Sequence, residues 1–302
     1  MGAILHVLLP GRAKLAHVPA FATWLARGTA LPAAEPGYFS AMAEHFRWPG
    51  GPLPAAALIR QSVAGDAGDA LWMSADPAWV QPELSGARLL ACGNLGLTLE
   101  ESASFVEALT ETFVEEGMSL FVGDAQHWQI RLPNYVDVPS FPAPEEALGA
   151  DLFEQLPKGE EGRRWRALIN EAQVVLHNHP ANRTRAAQGL PPVNSVWLWG
   201  PGALPEWVES GLDRIYSDDL LAWALGHRAD VDVQARESFG TSDAAAFTLL
   251  DLQDVQPHEF EQSWWAAIEA RLAAGTEIRL AFADGSRVVL RNMHRLRFWR
   301  KA

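Results

Sequence analysis

The chain has 302 residues, 48% hydrophobic and 20% charged, with a formal charge of −13. That length and mix indicate a globular protein with room for one large fold or a core plus an inserted lobe, and exclude a disordered or fibrous chain. The acidic balance repels nucleic-acid phosphates and acidic lipids, so no nucleic-acid or membrane partner is expected, although local basic patches can still hold small anions. Cys92 is the only cysteine, which excludes an intramolecular disulfide and any multi-cysteine metal site and suits a reducing compartment, so the cytoplasm is the expected location.

In chain order, "AILHVLLP" is too short to cross a bilayer, which takes about 20 apolar residues, and reads as a buried strand. No basic start or cleavage pattern marks an export signal. Residues 20–63 read as short helices broken by "TALPAAEPG" and "RWPGGPLP". "ALWMSADP" (70–77) and "ARLLACG" (87–93) are short apolar runs bounded by turn residues, as buried strands are. Thr98 and Glu101 have capping-box spacing, and Phe105, Leu109, Thr112 and Phe113 recur at helical intervals until Gly117. "SLFVGD" and "HWQIRLP" follow as neighbouring strands. The stretch 133–158, with prolines at 133, 139, 142, 144 and 157, reads as a linker or lobe boundary within one α/β domain spanning 1–302.

From Glu160 a helix is predicted to about His179, with Trp165, Leu168, Ile169, Ala172, Val175 and Leu176 as its apolar stripe. Asn170, Gln173 and His177 share its other face. Pro180 ends it, and "VNSVWLWG" (193–200) has strand composition. Helix and strand then alternate through "RIYS", "DDLLAWALGH", "ADVDV", "AAFTLLDL" and "HEFEQSWWAAIEARLAAG", which favours an α/β sheet. Asp284-Gly285 between two alternating runs predicts a C-terminal β-hairpin.

The segment "HNHPANRTRAAQGLPPVNSVWLWGPG" (177–202) concentrates the candidate site residues. His177 and His179 read first as helix-terminal caps rather than metal ligands. Arg183 and Arg185 are either a planar clamp for phosphate or carboxylate, or solvated surface groups. Asn182 and Asn194 suit the fixing of a loop, and Trp197 and Trp199, two apart on a strand, suit core packing. The Arg-rich "RVVLRNMHRLRFWRKA" suits an acidic partner or, more simply, edge-strand protection. Ser62, Ser74 and Ser85 lack the pattern of a hydrolase nucleophile, and "PGGPLP" and "GNLG" lack the spacing of a phosphate loop or dinucleotide fingerprint.

His179, Pro180, Asn182, Arg185, Gly189, Asn194, Trp197, Trp199 and Gly200 stand in an order and spacing that resembles a segment of the archaeal-type cofactor-independent phosphoglycerate mutases. This likeness is confined mainly to residues 165–270. Over the whole chain, the "LLPG" start and "PPVNSVWLWG" resemble a bacterial group described as regulatory proteins of the RpfE type. The resemblance implies a three-layer α/β fold with a mainly parallel sheet, a shortened form of the alkaline-phosphatase-like superfamily, whose mutases use two divalent metals and a serine that is transiently phosphorylated. In that family an early strand ends in Asp-Gly; here Pro10-Gly11 stands there. Asp254 and His258 match the spacing of one ligand pair, but too few further donors accompany them for a two-metal centre.

The expectation is therefore a catalytically impaired, phosphoglycerate-mutase-like protein with a regulatory or small-anion-binding role. His179, Asn182, Arg183, Arg185 and Asn194 would contact a phosphorylated or carboxylated metabolite, with no cofactor. On this reading Arg185→Ala abolishes a ligand response at little cost to unliganded stability. Two alternatives stand beside it: an active metal-dependent mutase or phosphatase using Mn or Zn at Asp254 and His258, and an interaction module with a tryptophan-rich surface.

Overall fold

The computed structural model describes residues 2–84, 86–240 and 245–300; Ser85 and the end of the Arg-rich stretch, Lys301 and Ala302, lie outside them. Chain order begins β1 (Ile4–Leu9), α1 (Pro19–Arg27), β2 (Thr29–Leu31), α2 (Tyr38–Ala43), β3 (Phe46–Arg47) and α3 (Ala55–Ala64). It continues with β4 (Leu71–Glu83), β5 (Gly86–Cys92), α4 (Leu99–Glu115), β6 (Ser119–Val122), β7 (Trp128–Leu132), α5 (Glu161–His177), α6 (Ala181–Ala187) and β8 (Ser195–Ala203). The last part holds β9 (Glu209–Ser210), β10 (Arg214–Tyr216), α7 (Leu220–Arg228), β11 (Asp232–Gln234), β12 (Phe247–Asp251), α8 (Trp265–Ala273), β13 (Glu277–Phe282) and β14 (Arg287–Leu290). Two compact units result, one of Met1–Pro49 with Trp207–Ala302 and one of Gly50–Glu206. The division falls at 49/50 and 206/207 rather than within 133–158, a stretch that lies inside the second unit and carries only one-turn helices.

The first unit is built on a seven-stranded sheet of order β11-β10-β12-β1-β13-β14-β2. Strands β11, β10, β12, β1 and β13 are parallel, and β14 and β2 are antiparallel additions. The sheet is thus mainly parallel, as expected. One face carries Val7, Tyr216, Leu250 and Leu280 against Phe21 of α1 and Trp265, Ile268 and Leu272 of α8. Phe21 meets Phe260 and Trp265 edge-on at 4.8 and 4.9 Å, so three aromatic bodies anchor both helices to one spot. The opposite face carries Ile215 and Val233 against α7, which makes three layers. The approach there is close enough to require glycine: a Cβ at Gly226 would fall 2.3 Å from Val233 Cγ2 and 3.1 Å from Ile215 Cδ1. Gly226→Ala is expected to destabilise the fold by about 1–3 kcal/mol through overpacking, although alanine favours helix. Urea titration checks this.

The predicted hairpin is β13–β14, turning at Gly285 with φ 79°. A Cβ there would also lie 2.4 Å from the Ala34 carbonyl oxygen.

The second unit is a five-stranded sheet in which every pairing is antiparallel: β5 and β7 share one edge of the long β4, β6 follows β7, and β8 lies on the other edge of β4. The parallel expectation holds for the first unit only. Strands β4–β5 and β6–β7 are joined by short turns, which allow only antiparallel neighbours. The capping box forms as predicted, with Glu101 N–H donating to Thr98 Oγ1 at 3.1 Å and Thr98 N–H to Glu101 Oε2 at 2.9 Å. Trp197 and Trp199 are 1% and 4% exposed and belong to the core. So do Trp72, Trp128, Trp165 and Trp265, whereas Trp207 and Trp299 are exposed at 43% and 67%. No helix among the described residues is long and apolar enough to cross a membrane.

Candidate functional site

Open parallel sheets offer a ligand site at the carboxyl ends of their strands. In the first unit that edge is formed by the ends of β1, β12 and β10. Strand β12 closes on Asp251, which is 0% exposed. Its Oδ2 accepts from Tyr38 Oη at 2.9 Å and from Ser217 Oγ at 2.7 Å, and its Oδ1 from Gln253 N–H at 3.3 Å. Burial, and then the nearby Asp219 charge, push the Asp251 carboxyl up to about 6, against the opposing Ser217 and Arg236. Sequence reasoning missed this residue, although an acid ending the apolar run "FTLLD" was the available signal. Arg236, Ser217 and Tyr38 carried none.

Beside Asp251, Arg236 supplies the cation of this edge. Its Nη2 lies 2.8 Å from Asp254 Oδ1, its Nε 3.6 Å from Asp218 Oδ2, and its backbone N–H donates to Asp218 Oδ1 at 3.0 Å. Asp254 therefore faces a guanidinium. His258 sits exposed on a one-turn helix, Pro257–Glu259. Strand β1 runs out into Pro10-Gly11, where the Arg12 N–H donates to Asp284 Oδ2 at 3.0 Å. Among the described residues no three His, Cys, Asp or Glu side chains converge as metal ligands would. Among the described residues, this edge does not offer the donor set of a two-metal centre.

The polar segment 177–202 lies in the second unit, and most of its candidates are engaged within the protein. Asn182 Nδ2 donates to the carbonyls of Leu176 and Val193, both at 2.8 Å, and its Oδ1 accepts the Val193 N–H at 2.9 Å. It pins the end of α5 to the approach to β8. Asn194 completes a strand-like pair with Val80, accepting from its N–H at 2.8 Å and donating to its carbonyl at 2.7 Å. Both asparagines fix backbone, as their chemistry suggested.

Arg185 is neither a ligand clamp nor a surface group. It is 0% exposed. Its Nε donates to Pro191 O at 2.9 Å, Nη1 to Glu101 Oε1 at 3.1 Å and Nη2 to Leu95 O at 2.5 Å. Burial works to raise the Glu101 carboxyl, but the Thr98 N–H and the Arg185 guanidinium outweigh it and hold the group below the usual carboxylate range. Arg185 thus locks the capping box of α4.

His179 stacks on Phe105 with ring centroids 4.5 Å apart, and its Nδ1 accepts the Ala181 N–H at 3.3 Å at the start of α6. Its Nε2 lies 3.5 Å from Ser104 Oγ. Burial lowers its pKa, against the Ser104 hydrogen bond, and so favours the neutral form of the ring. Helix α6 itself was not foreseen: Pro180, read as a stop, also begins the next helix. Arg183 is exposed and makes no ion pair among the described residues. The face shared by Asn170, Gln173 and His177 does line a cleft, of about 500 Å³, with Val80, Phe153 and Asn194.

These features define an α/β protein whose parallel sheet carries an acidic carboxyl edge with an internal arginine counter-ion. No family model matches the chain. It is 47% identical over 62 residues to a probable 2,3-bisphosphoglycerate-independent phosphoglycerate mutase of Geobacter sulfurreducens, covering 20% of this chain and 16% of that protein. It is 31% identical over 113 residues to a 2,3-bisphosphoglycerate-independent phosphoglycerate mutase of Methanosarcina barkeri, covering 37% of this chain and 28% of that one. Over such stretches the chain is homologous to cofactor-independent phosphoglycerate mutases, and the matches span less than a third of those relatives' length. A solved structure of a Pyrococcus horikoshii protein shares the fold at 12% identity, with a TM-score of 0.50 over 96% of this chain and 87% of that one.

Proposed function

We propose that this chain is a cytoplasmic, phosphoglycerate-mutase-like protein on a shortened alkaline-phosphatase-like scaffold, which acts in regulation by binding rather than by phosphoryl transfer. The observation that carries the reading is the placement of Arg236 against Asp254 and Asp218 at the sheet edge, with Pro10-Gly11 ending β1. A fixed guanidinium neutralises the carboxylates that a divalent cation would need, and it cannot activate a serine hydroxyl. The homologous stretches support the mutase relationship, and the "PPVNSVWLWG" core supports the RpfE-type regulatory reading. A small-anion role rests on exposed Arg183 and half-buried His179, since Arg185 and both asparagines serve the fold.

The test combines metal analysis with turnover. Purified protein dialysed against Mn²⁺ or Zn²⁺ is expected to retain no stoichiometric metal and to show no mutase or phosphatase activity on phosphoglycerates. A 3-phosphoglycerate-induced rise in melting temperature, abolished in Arg183→Ala, would support the anion role. Two metals per chain together with turnover would overturn the reading in favour of the enzyme alternative, which the Asp254–His258 spacing favours and which requires Arg236 to release Asp254.

A further inference from the structure

Residues 292–300 of the first unit place four large apolar side chains in solvent within seven positions. Met293 is 64% exposed, Leu296 64%, Phe298 75% and Trp299 67%, and the Phe298 and Trp299 rings meet edge-on at 5.5 Å. Their exposure is not that of a loose segment. Arg297 Nη1 donates to the Arg27 carbonyl and to Thr29 Oγ1, both at 3.0 Å, and Arg300 Nη1 to the Gly28 carbonyl at 2.9 Å. Arg27 Nη1 returns a bond to the Arg295 carbonyl at 3.3 Å, and Asn292 Nδ2 donates to the Ala273 carbonyl at 3.2 Å. His294 is buried between them, 1% exposed. The backbone is thus held against the end of α1 while the apolar side chains project outward.

The same face is locally basic on an acidic protein. Arg291 is paired with Glu277 at 2.7 Å. Arg27, Arg295, Arg297 and Arg300 have no carboxylate within ion-pair distance among the described residues. Bonds to carbonyl and hydroxyl oxygens satisfy a guanidinium's donors without cancelling its charge, so the segment and the end of α1 that holds it carry four positive charges alongside the four exposed apolar side chains. An edge-protecting role explains the charges but not the exposed Phe298 and Trp299.

We propose that this face docks on an anionic lipid surface. Charge complementarity selects the occupant: the guanidiniums match headgroup phosphates, and Trp, Phe, Leu and Met projecting singly match the boundary between headgroups and acyl chains. A protein partner would need a preformed apolar pocket for each projecting side chain with carboxylates set beside the arginines, whereas a bilayer adapts to them. The exclusion of a membrane partner drawn from net charge does not reach this face, because charges more than about 8–10 Å away are screened at physiological salt.

The experiment is co-sedimentation of the full chain with vesicles of phosphatidylcholine alone or with about one third phosphatidylglycerol. Binding is expected only to the anionic vesicles and is expected to weaken at least tenfold as salt rises towards about 1 M. Phe298→Ser/Trp299→Ser and, separately, Arg295→Glu are each expected to weaken it by about tenfold or more with unchanged melting temperature, since none of these side chains holds the fold. Equal sedimentation with both vesicle types, no sedimentation with either, or variants that bind as well as the parent would overturn the proposal. So would a concentration-dependent dimer abolished by Phe298→Ser/Trp299→Ser, which would assign the face to a second copy.

Discussion

Arg185→Ala is expected to lower the unfolding free energy by about 3–5 kcal/mol, the usual cost of dismantling a buried, paired charge and leaving a cavity. The substitution removes a side chain that is 0% exposed. It also strips the Leu95 and Pro191 carbonyls of their donor and Glu101 of its cation. The loss propagates to the N-terminus of α4, because Glu101 is the N3 residue of its capping box. This reverses the expectation that Arg185 serves a ligand at little cost to the fold. Urea unfolding of Arg185→Ala beside Arg183→Ala makes the contrast: the exposed Arg183 is expected to cost no more than about 0.5 kcal/mol. A loss below about 1 kcal/mol in Arg185→Ala would show that the buried network adds little.

Acidification from pH 7 to pH 5 is expected to cost the fold about 3 kcal/mol, through two histidines of the first unit. His6 of β1 and His45 stack edge-to-face with centroids 4.6 Å apart. Burial, then the Arg279 charge, lowers His6 to about 4, with Glu277 opposing. Burial, then His6, Arg287 and Arg279, lowers His45 to about 3. Both folded values lie below the unfolded 6.5, so the unfolded chain binds more protons. Stability is then fully present above 6.5 and falls as pH drops towards the folded values. By pH 5 each histidine costs about 2 kcal/mol.

Asp251 works in the opposite sense. Its folded value, about 6, lies above its ordinary 3.8, so the native state binds the extra proton and gains a little over 1 kcal/mol on the same descent. The histidines win on magnitude. The lowered carboxyls of Glu101, Glu277 and Asp284 fall outside this window, since they lose their contribution only below the ordinary carboxylate range. Denaturant titrations at pH 7 and 5 check the prediction; His45→Gln should recover about two thirds of the loss, and stability that holds or rises at pH 5 would refute it.

Much of the fold was legible because its signals are local. The Thr98–Glu101 spacing, the Asp284-Gly285 turn and the apolar stripe of α5 each depend on residues a few positions apart, and all three elements formed. The candidate site was less legible. Asn182 and Asn194 kept the loop-fixing role their chemistry implied, but Arg185 passed from possible ligand clamp to core. The 84-residue separation between Arg185 and Glu101, and the 213 between Tyr38 and Asp251, leave no trace in a sliding window.

Sequence alone determined the capping box of α4, the apolar stripe of α5 and the β13–β14 turn, that Pro10-Gly11 stands at the end of β1, and that part of the chain is related to phosphoglycerate mutases. Tertiary structure decided that β4–β8 pair antiparallel, that Asp254 faces Arg236, and which polar groups remain free for a partner. The reason is physical: periodicity and capping act between near neighbours along the chain, whereas desolvation and hydrogen-bond satisfaction depend on distant segments that only the fold brings together.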